Sequence, residues 1–480
     1  MSIPAPTSSS DDDVLDVVGI GFGPSNLSLA IALAEHNGAL AEHNGATGRP
    51  LTARFVERQA TFGWHRGMLI EDTTMQVSFL KDLVTLRNPC SPYSFLSYLH
   101  SRDRMVDFIN YGSVFPTRME FHDYLEWVAD AFAEQLEYGV EVTSLRPVRS
   151  DDGGIEHISV VMRRPDGSTH RLLARNVVLA AGLTGRVPTG VTLGRRIWHS
   201  YDLLMRMPEL EGTSPQRVSV VGAGQSAAEV VDYLHRTFPT AEVCAVFARY
   251  GYSPADDSSF ANRIFDPDAV EEFYCAPEDV KAQIMSYHSN TNYSVVDPEL
   301  IDGLYRRHYH ERVAGKERLR FLNVTRVTAT EAVGDKVNLT VESLIDGERQ
   351  ELPSDLVVFA TGYRPRDPIP LLGELAAVCD RDEAGRLAIR RDYRVGTDPT
   401  MTARIYIQGA TEHTHGITST LLSNVAVRSG EIVASIADTE PSDEHPPGTR
   451  PDGVGEPPTS GSRTHPAPAR HPSVPAGAAS

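Results

Sequence analysis

The stretch DVVGIGFGPSNL, residues 16–27, decides the fold of this chain. A short β-branched apolar run meets closely spaced glycines, and apolar residues then recur at helical spacing, which predicts a strand, a tight turn and a helix. Gly21 allows the sharp turn, and Gly23 lets the backbone approach a pyrophosphate at the helix N-terminus. Asn26 stands where a third glycine is usual. Alone, this pattern is weak evidence for a nucleotide site.

A second turn of the same kind lies about 200 residues further along, in RVSVVGAGQSAAEVVDYL, residues 217–234. Gly222 and Gly224 follow an apolar strand pattern, and Ala227 takes the place of the third glycine. Two such turns in one chain make coincidence improbable. They predict an α/β fold with two dinucleotide-binding (Rossmann-like) domains, one for a flavin and one for a nicotinamide cofactor.

The composition excludes several classes of protein. The 480 residues are 41% hydrophobic and 23% charged, as in an ordinary globular protein of two or three domains. A net charge of -19 argues against a nucleic acid or an anionic membrane as partner. No apolar run approaches the roughly 20 residues that span a bilayer. The four cysteines stand far apart without a CxxC pair, so we expect no metal site, no dithiol centre and a cytoplasmic location.

Two charged residues at strand ends bear on cofactor choice. Glu57 closes the strand pattern Ala53–Val56, where an acidic residue accepts hydrogen bonds from an adenosine ribose. Arg249 follows the strand pattern Glu242–Ala248, and an arginine there suits the 2′-phosphate of NADPH. Each could instead be an ordinary surface charge.

Two regions hold candidate substrate ligands. Residues 62–99 are rich in aromatic residues and Met but contain Gln76 and Lys81, so Lys81 is either a snorkelling surface residue or a clamp for a carboxylate. Residues 253–297 contain Asn262 and Asn292, which are either turn residues or neutral partners of a polar substrate.

The domain organisation follows from these patterns. A tandem AEHNGA, at residues 34–39 and 41–46, is interpreted as a neutral duplication that lengthens the loop after the first helix. Strands within 355–363 and 404–415 are expected to return the chain to the first domain. We therefore predict a disordered N-terminus at 1–13, an FAD domain at 14–200 and 355–437, an inserted NADPH domain at 201–354, a small mainly helical substrate-binding region at 253–312, and a disordered Pro/Gly-rich tail at 438–480.

Several blocks of the sequence carry a family resemblance. They are VGIGFGPSNLSLA, MQVSFLKDLVTLRNPCSPYSFLSYL, VVGAGQSAAEV, DDSSFANRIF, TNYSVVD, FATGY and THGITSTLLSNVAVR. Over residues 14 to 437 the chain resembles the microbial N-hydroxylating flavin monooxygenases of ornithine or lysine. The match is better for the ornithine branch, mainly through DDSSFANRIF and TNYSVVD. One departure is Ala223, where some relatives carry Ser.

The resemblance implies roles for particular residues. Lys81 would bind the substrate carboxylate, Asn262 and Asn292 would hold the amino acid, and Ser423 would lie near its side chain. Gln76 would approach the flavin, and Gln76 and Asn292 form the implied catalytic pair. The implied cofactor-binding set is Gly21, Gly23, Pro24, Ser25, Glu57, Trp64, His65, Gln76, Gly222, Gly224, Gln225, Ser226, Arg249, Thr361, Gly362, Tyr363 and Leu422.

The resemblance also implies the reaction. NADPH and O2 would convert L-ornithine to N5-hydroxy-L-ornithine through a C4a-hydroperoxyflavin, for siderophore or related biosynthesis, in a homotetramer. The nearest alternative is an L-lysine N6-monooxygenase, because one methylene gives only about 1–3 kcal/mol of discrimination. A diamine substrate would leave Lys81 without a partner. A dithiol reductase lacks its CxxC, and a non-enzymatic redox sensor would need none of Lys81, Asn262 and Asn292.

Overall fold

The computed structural model describes residues 13–42, 49–288 and 291–438. The predicted terminal segments, apart from their innermost residues, lie outside these ranges, as does most of the second AEHNGA copy. No helix within the described ranges is long and apolar enough to cross a membrane.

The chain alternates strands and helices, as the two glycine turns predict. The strands are β1 (Val14–Ile20), β2 (Ala53–Glu57), β3 (Leu136–Tyr138), β4 (Glu141–Arg149), β5 (Ile155–Arg163), β6 (Thr169–Leu179), β7 (Leu183–Gly185), β8 (Ile197–His199), β9 (Arg217–Val221), β10 (Glu242–Val246), β11 (Leu319–Leu322), β12 (Thr325–Val333), β13 (Lys336–Ser343), β14 (Arg349–Ser354), β15 (Leu356–Phe359), β16 (Tyr363–Pro365) and β17 (Arg404–Ile407). The helices are α1 (Pro24–Glu42), α2 (Phe95–Ser101), α3 (Met105–Tyr111), α4 (Arg118–Asp130), α5 (Leu203–Arg206), α6 (Gln225–Thr237), α7 (Pro267–Cys275), α8 (Glu278–His288), α9 (Pro298–Val313), α10 (Ile369–Leu372), α11 (Glu412–His415) and α12 (Val425–Ala437).

The first sheet holds the first glycine turn. Its order is β3-β2-β1-β6-β5-β4, and β17 pairs with β6 in parallel. β1 lies between β2 and β6, parallel to both, and its residues are almost all buried, as expected for a central strand. The stretch Arg404–His415 was expected to return the chain to the first domain, and its strand β17 pairs with β6 of this sheet. Helices α1 and α12 pack together beside the sheet.

The second sheet holds the second turn, in the parallel order β11-β10-β9-β15-β8. Leu356–Phe359 was expected in the first domain, and that expectation is wrong, because β15 pairs with β9. β8 likewise lies in the second sheet, although 14–200 was assigned to the first domain. A short apolar strand ending in a glycine turn suits either parallel sheet, so the pattern could not choose between them.

Smaller elements connect these sheets. β12, β13 and β14 form an antiparallel meander. β7, which follows β6 of the first sheet, pairs antiparallel with β16, which follows β15 of the second. Helices α7, α8 and α9 occupy most of the region expected to bind substrate, which is therefore mainly helical as predicted.

The AEHNGA duplication has a different place from the expected one. The first copy lies within α1 rather than in a loop. Within this copy, Asn37 donates to the Leu51 carbonyl at 3.0 Å and accepts from the Leu51 amide at 2.8 Å. The copy therefore fixes the chain just before β2.

Candidate functional site

The first glycine turn joins β1 to α1 with little room for side chains. Gly21 has φ +82°, and a Cβ there would lie 2.4 Å from the carbonyl oxygen of Ala180. A Cβ on Gly23 would meet nothing within 4 Å, so this position borders open space at the N-terminus of α1. The two glycines thus do different work: Gly21 permits the turn, and Gly23 leaves space for a ligand.

Asn26 explains how the turn manages without its third glycine. Its side chain is fully buried and donates to the Gly21 carbonyl at 2.8 Å. Its amide oxygen accepts from Gln408 at 3.0 Å. A buried amide is stable only when paired in this way. Asn26 therefore ties the turn to the segment after β17, a contact that a glycine could not make.

Glu57 lies at the end of β2, as the sequence predicts. Its Oε2 accepts from the Phe22 amide at 2.8 Å, and its Oε1 accepts from the Gln59 amide at 2.8 Å. The carboxylate is therefore held against the glycine turn, at the edge where a ribose would lie. Its contact with a ribose remains a prediction.

The second turn joins β9 to α6 and is tied to the helical region. A Cβ on Gly222 would lie 2.3 Å from the Ala360 carbonyl oxygen, and one on Gly224 would lie 3.3 Å from Cα of Ser294. Gln225 accepts from the backbone amide of Asp297 at 2.8 Å. The loop that carries Asn292 is therefore packed against the second nucleotide turn.

Arg249 lies three residues beyond the end of β10 and is exposed. Its Nη1 donates to the carbonyl of Ser294 at 2.7 Å and to the Ser253 hydroxyl at 3.2 Å. It lies at the second turn, where a 2′-phosphate would be read, and it also helps to hold the loop that follows Asn292. This structural contact was not predicted from the sequence.

An aromatic cluster lies between the two sheets. Tyr363 contacts His65 and His199, with ring centroids 5.5 and 5.4 Å apart. Trp64 packs edge-on against His65 at 5.0 Å. Burial and the nearby Arg118 charge lower the pKa of His65 to about 4, so its ring is neutral at pH 7. The cluster brings together Trp64, His65 and Tyr363 from the implied cofactor-binding set.

The carbonyl of Gly362 accepts from His199 at 3.1 Å, and the Thr361 hydroxyl donates to the carbonyl of Arg186. These bonds fix the turn that leads into β16. The remaining cofactor candidates lie in several elements. Pro24 and Ser25 begin α1, and Ser226 follows Gln225 in α6. Leu422 is half-buried against the apolar core between α1 and α12, and Gln76 is exposed.

Lys81 lies on a short 3-10 turn, Phe79–Lys81, and is half-buried. Its Nζ stands 5.6 Å from the ring centroid of Phe265. Burial lowers the pKa of Lys81, and Asp266 partly opposes this shift. Within the described ranges no carboxylate forms an ion pair with it. A half-buried cation without such a partner is suited to bind an anionic ligand.

Three of the four predicted substrate ligands lie around the same short segment. Asn262 belongs to the 3-10 turn Ala261–Phe265, and its side chain donates to the Asp257 carbonyl at 2.7 Å. Ser423 is buried, and its neighbour Asn424 reaches the carbonyl of Asp266 at 3.5 Å. Lys81 thus lies near Phe265, Asn262 belongs to the turn that ends at Phe265, and the residue after Ser423 contacts Asp266.

Asn292 approaches this region from the loop beside the second turn. The next residue, Tyr293, donates its hydroxyl to Glu412 at the start of α11. This bond joins the Asn292 loop to the C-terminal segment that carries Ser423. Asn292 therefore lies on a bridge between the second turn and the segment near Lys81, although no direct contact links it to Lys81.

Comparison with known proteins identifies the family. Residues 13–365 match the model of L-lysine 6-monooxygenase/L-ornithine 5-monooxygenase. The chain belongs to this family. It is 40% identical over 411 residues to the L-ornithine N(5)-monooxygenase of Burkholderia cepacia, covering 84% of this chain and 90% of that protein. It is 38% identical over 428 residues to that of Pseudomonas aeruginosa, covering 88% and 94%.

A solved structure agrees with this assignment. The ornithine N-hydroxylase of Kutzneria sp. 744, with reduced FAD, NADP+ and L-ornithine, matches with a TM-score of 0.83 and 47% identity, over 88% of this chain and 99% of that one. The family and the α/β fold with two Rossmann-like domains, both predicted from the sequence, are confirmed. The roles of individual residues in this family member remain predictions.

The site has members that the sequence analysis missed. Arg118 forms a two-point ion pair with Glu229, each Nη–Oε distance being 2.7 Å, and Glu229 also accepts from Gln225 at 2.8 Å. This pair joins α4, beside the first sheet, to α6, beside the second. Phe265 beneath Lys81 was also missed. Glu229 lies among the apolar residues on the buried face of the amphipathic helix α6, and this position could have indicated a buried carboxylate in need of a cation.

The site fits a dinucleotide at the first turn. Gly23 borders open space, and side-chain oxygens of Thr411, Ser419 and Asn424 are buried without a hydrogen-bond partner among the described residues. These three belong to the segment that Gln408 ties to Asn26. Since buried polar atoms are normally paired, this segment suits a polar ligand placed against the turn.

Proposed function

We propose that this chain is an L-ornithine N5-monooxygenase that binds FAD at the first turn and uses NADPH and O2. The observation that carries the proposal is the half-buried Lys81, next to Phe265 and without a carboxylate partner in the described ranges. An amino acid that is hydroxylated at its far end needs such a cation for its α-carboxylate.

The opposite end of the substrate needs a different environment. An alkyl ammonium has a pKa of ~10.4, so only about one molecule in 2500 carries the nucleophilic neutral amine at pH 7. Neutral partners such as Asn292 and Asn262 favour the neutral amine, because a desolvated ammonium without a carboxylate loses its stabilisation. Lys81 would therefore hold the carboxylate while the asparagines orient the amine.

The two turns divide the cofactors. FAD supplies the oxygen-activating chemistry when bound, and its pyrophosphate would lie at Gly23 and the N-terminus of α1. NADPH would lie at Gly224 and Ser226, with Arg249 toward its 2′-phosphate. Gln76, exposed in this chain, would border the flavin and help to exclude water from the reacting atoms.

The decisive experiment is an assay of the purified, FAD-loaded protein with NADPH and either ornithine or lysine. Hydroxylated product is measured rather than NADPH loss, because uncoupled oxidation consumes NADPH without hydroxylation. We expect hydroxyornithine. Product from lysine alone would replace ornithine with lysine as the substrate, and no hydroxylated amine from either would overturn the proposal.

The two glycines of the first turn provide a matched test of FAD placement. Gly21→Ala should lower the melting temperature of the apoprotein, because φ +82° and the Ala180 carbonyl leave no room for a Cβ. Gly23→Ala should leave that temperature unchanged and weaken FAD binding at least tenfold. Apoprotein melting and FAD titration measure the two effects. Unchanged FAD affinity in Gly23→Ala would remove the pyrophosphate from this position.

Arg249 provides a test of the NADPH site. Arg249→Ala should weaken NADPH much more than NADH, since only NADPH carries the 2′-phosphate. Because Arg249 also holds the Ser294 carbonyl, a smaller loss for both nucleotides is expected in addition. KM values for the two nucleotides in wild type and variant decide the matter. Equal losses for both would show that the 2′-phosphate is read elsewhere.

The proposal includes a cytoplasmic homotetramer that serves siderophore or related biosynthesis. Support for self-association comes from an exposed apolar face on α3 and the residues after it, which includes Val106, Ile109, Tyr111 and Met119 at 67, 66, 57 and 54% exposure. Light scattering of the purified protein should give about four times the 52.6 kDa chain mass. A monomer mass at micromolar concentration would contradict this part.

A further inference from the structure

Arg428 is a buried cation behind the first glycine turn. It lies on the inward face of α12 and is only 2% exposed. Its Nε donates to Gln408 at 3.1 Å, its Nη1 donates to the Ser419 carbonyl at 2.8 Å, and its Nη2 donates to the Ser25 hydroxyl at 3.2 Å. All three acceptors are neutral.

A buried guanidinium needs an opposite charge, since it cannot lose its proton in a protein. No carboxylate of the described residues forms an ion pair with Arg428. Glu431, one helical turn further along α12, is already paired with both Nη atoms of Arg391, at 3.0 and 2.9 Å. Arg428 is therefore held by hydrogen bonds while its charge lacks a close anionic partner.

The contacts of Arg428 point toward the first turn. Ser25 is the second residue of α1, at the helix end where an anion would be favoured. Gln408, which accepts from Arg428, donates to the Ser25 carbonyl at 3.2 Å and to Asn26 at 3.0 Å. The guanidinium is thus one hydroxyl away from the position proposed for the pyrophosphate.

We infer that Arg428 is the buried counter-charge of the FAD pyrophosphate, acting through Ser25 and Gln408. The Ser25 oxygen accepts from Arg428, which leaves the Ser25 hydroxyl hydrogen to point toward a phosphate oxygen. The inference rests on the proposed function, because it places FAD at this turn. Arg428 is a positioning residue, since Ser25 separates it from the cofactor.

The inference predicts opposite effects on the apoprotein and on FAD binding. Without FAD, the Arg428 charge has no close anionic partner, so Arg428→Met should leave the melting temperature of the apoprotein unchanged or raise it. With FAD, the same variant loses the attraction, so its FAD dissociation constant should rise at least tenfold. Arg428→Lys keeps the charge, so its FAD dissociation constant should lie between those of Arg428→Met and the wild-type protein.

Arg391→Met is the matched control. Arg391 pairs with Glu431 and Glu271, so its loss should lower the melting temperatures of apoprotein and FAD-bound protein alike, with FAD affinity unchanged. Thermal melting of the apoprotein and of the FAD-bound protein gives the stabilities, and fluorescence titration of the apoprotein with FAD gives the dissociation constants. If Arg428→Met is insoluble, Arg428→Gln takes its place.

The outcomes separate the inference from the proposed function. If Arg428→Met or Arg428→Gln binds FAD as tightly as wild type, or destabilises both forms equally, the inference is overturned while the proposed function stands. If the wild-type protein does not bind FAD, the proposed function itself fails. A tenfold loss of FAD affinity with an unweakened apoprotein supports the inference.

Discussion

Lys81→Ala should raise the ornithine KM about 10- to 100-fold while NADPH oxidation continues. The fold-change corresponds to the roughly 1.5–3 kcal/mol that a hydrogen bond to a charged group contributes. Lys81 is half-buried beside Phe265, and no carboxylate of the described residues forms an ion pair with it, so its removal should affect the substrate rather than the fold. Steady-state assays that follow hydroxyornithine and hydrogen peroxide separately measure the effect.

Lys281→Met is the control for Lys81. Lys281 is also a buried lysine of this half of the molecule, 5% exposed, but it is paired with Glu278 at 3.1 Å. The Lys281→Met substitution should therefore leave the ornithine KM unchanged. Lys81→Arg keeps the charge, so it should raise the ornithine KM less than Lys81→Ala does. An unchanged ornithine KM in Lys81→Ala would remove Lys81 from the site.

Arg118→Met should destabilise the protein strongly, because it leaves the Glu229 carboxylate buried without its cation. Glu229 is 4% exposed, and both of its oxygens are bound by Arg118. Breaking a buried pair by removing one partner costs roughly 3–5 kcal/mol. Since the pair joins α4 to α6, we also expect slower flavin reduction by NADPH. Thermal melting and stopped-flow reduction measure the two effects.

The double variant Arg118→Met/Glu229→Met separates charge from packing. With both charges removed, the double variant should regain most of the stability, because the unpaired carboxylate is gone. Flavin reduction should stay slow, since the link between the two sheets stays broken. A double variant as unstable as Arg118→Met would show that packing, rather than the unpaired charge, causes the loss.

Much of the fold could be predicted from short stretches. Each glycine turn requires particular backbone angles and a close approach, and both requirements are met within a few residues, so they show in the sequence. The family blocks likewise indicated Lys81, Asn262, Asn292 and Ser423 as a set. Their roles stay predictions: Lys81 lies near Phe265, Asn262 belongs to the same 3-10 turn, and the neighbour of Ser423 contacts Asp266.

The strand partners were harder to predict. Leu356–Phe359 has the same apolar pattern as a strand of the first sheet, yet it pairs with β9 of the second. The first AEHNGA copy is polar and contains a glycine, yet it continues α1. The strand pattern of Leu356–Phe359 suits either sheet, so only tertiary packing chooses its partner, whereas in the AEHNGA copy the helix forms despite a weak local preference.

By itself, the sequence determined the two dinucleotide turns, the family and the candidate substrate ligands, because these depend on residue types at short spacings. Only the tertiary structure decided which residues hydrogen-bond to the buried charged side chains. Arg118 meets Glu229 across 111 residues, and Arg428 meets Ser25 across 403 residues. Such contacts depend on how helices that are distant in sequence pack together. A buried charged group needs hydrogen-bonding partners, and only the packed fold shows which residues supply them.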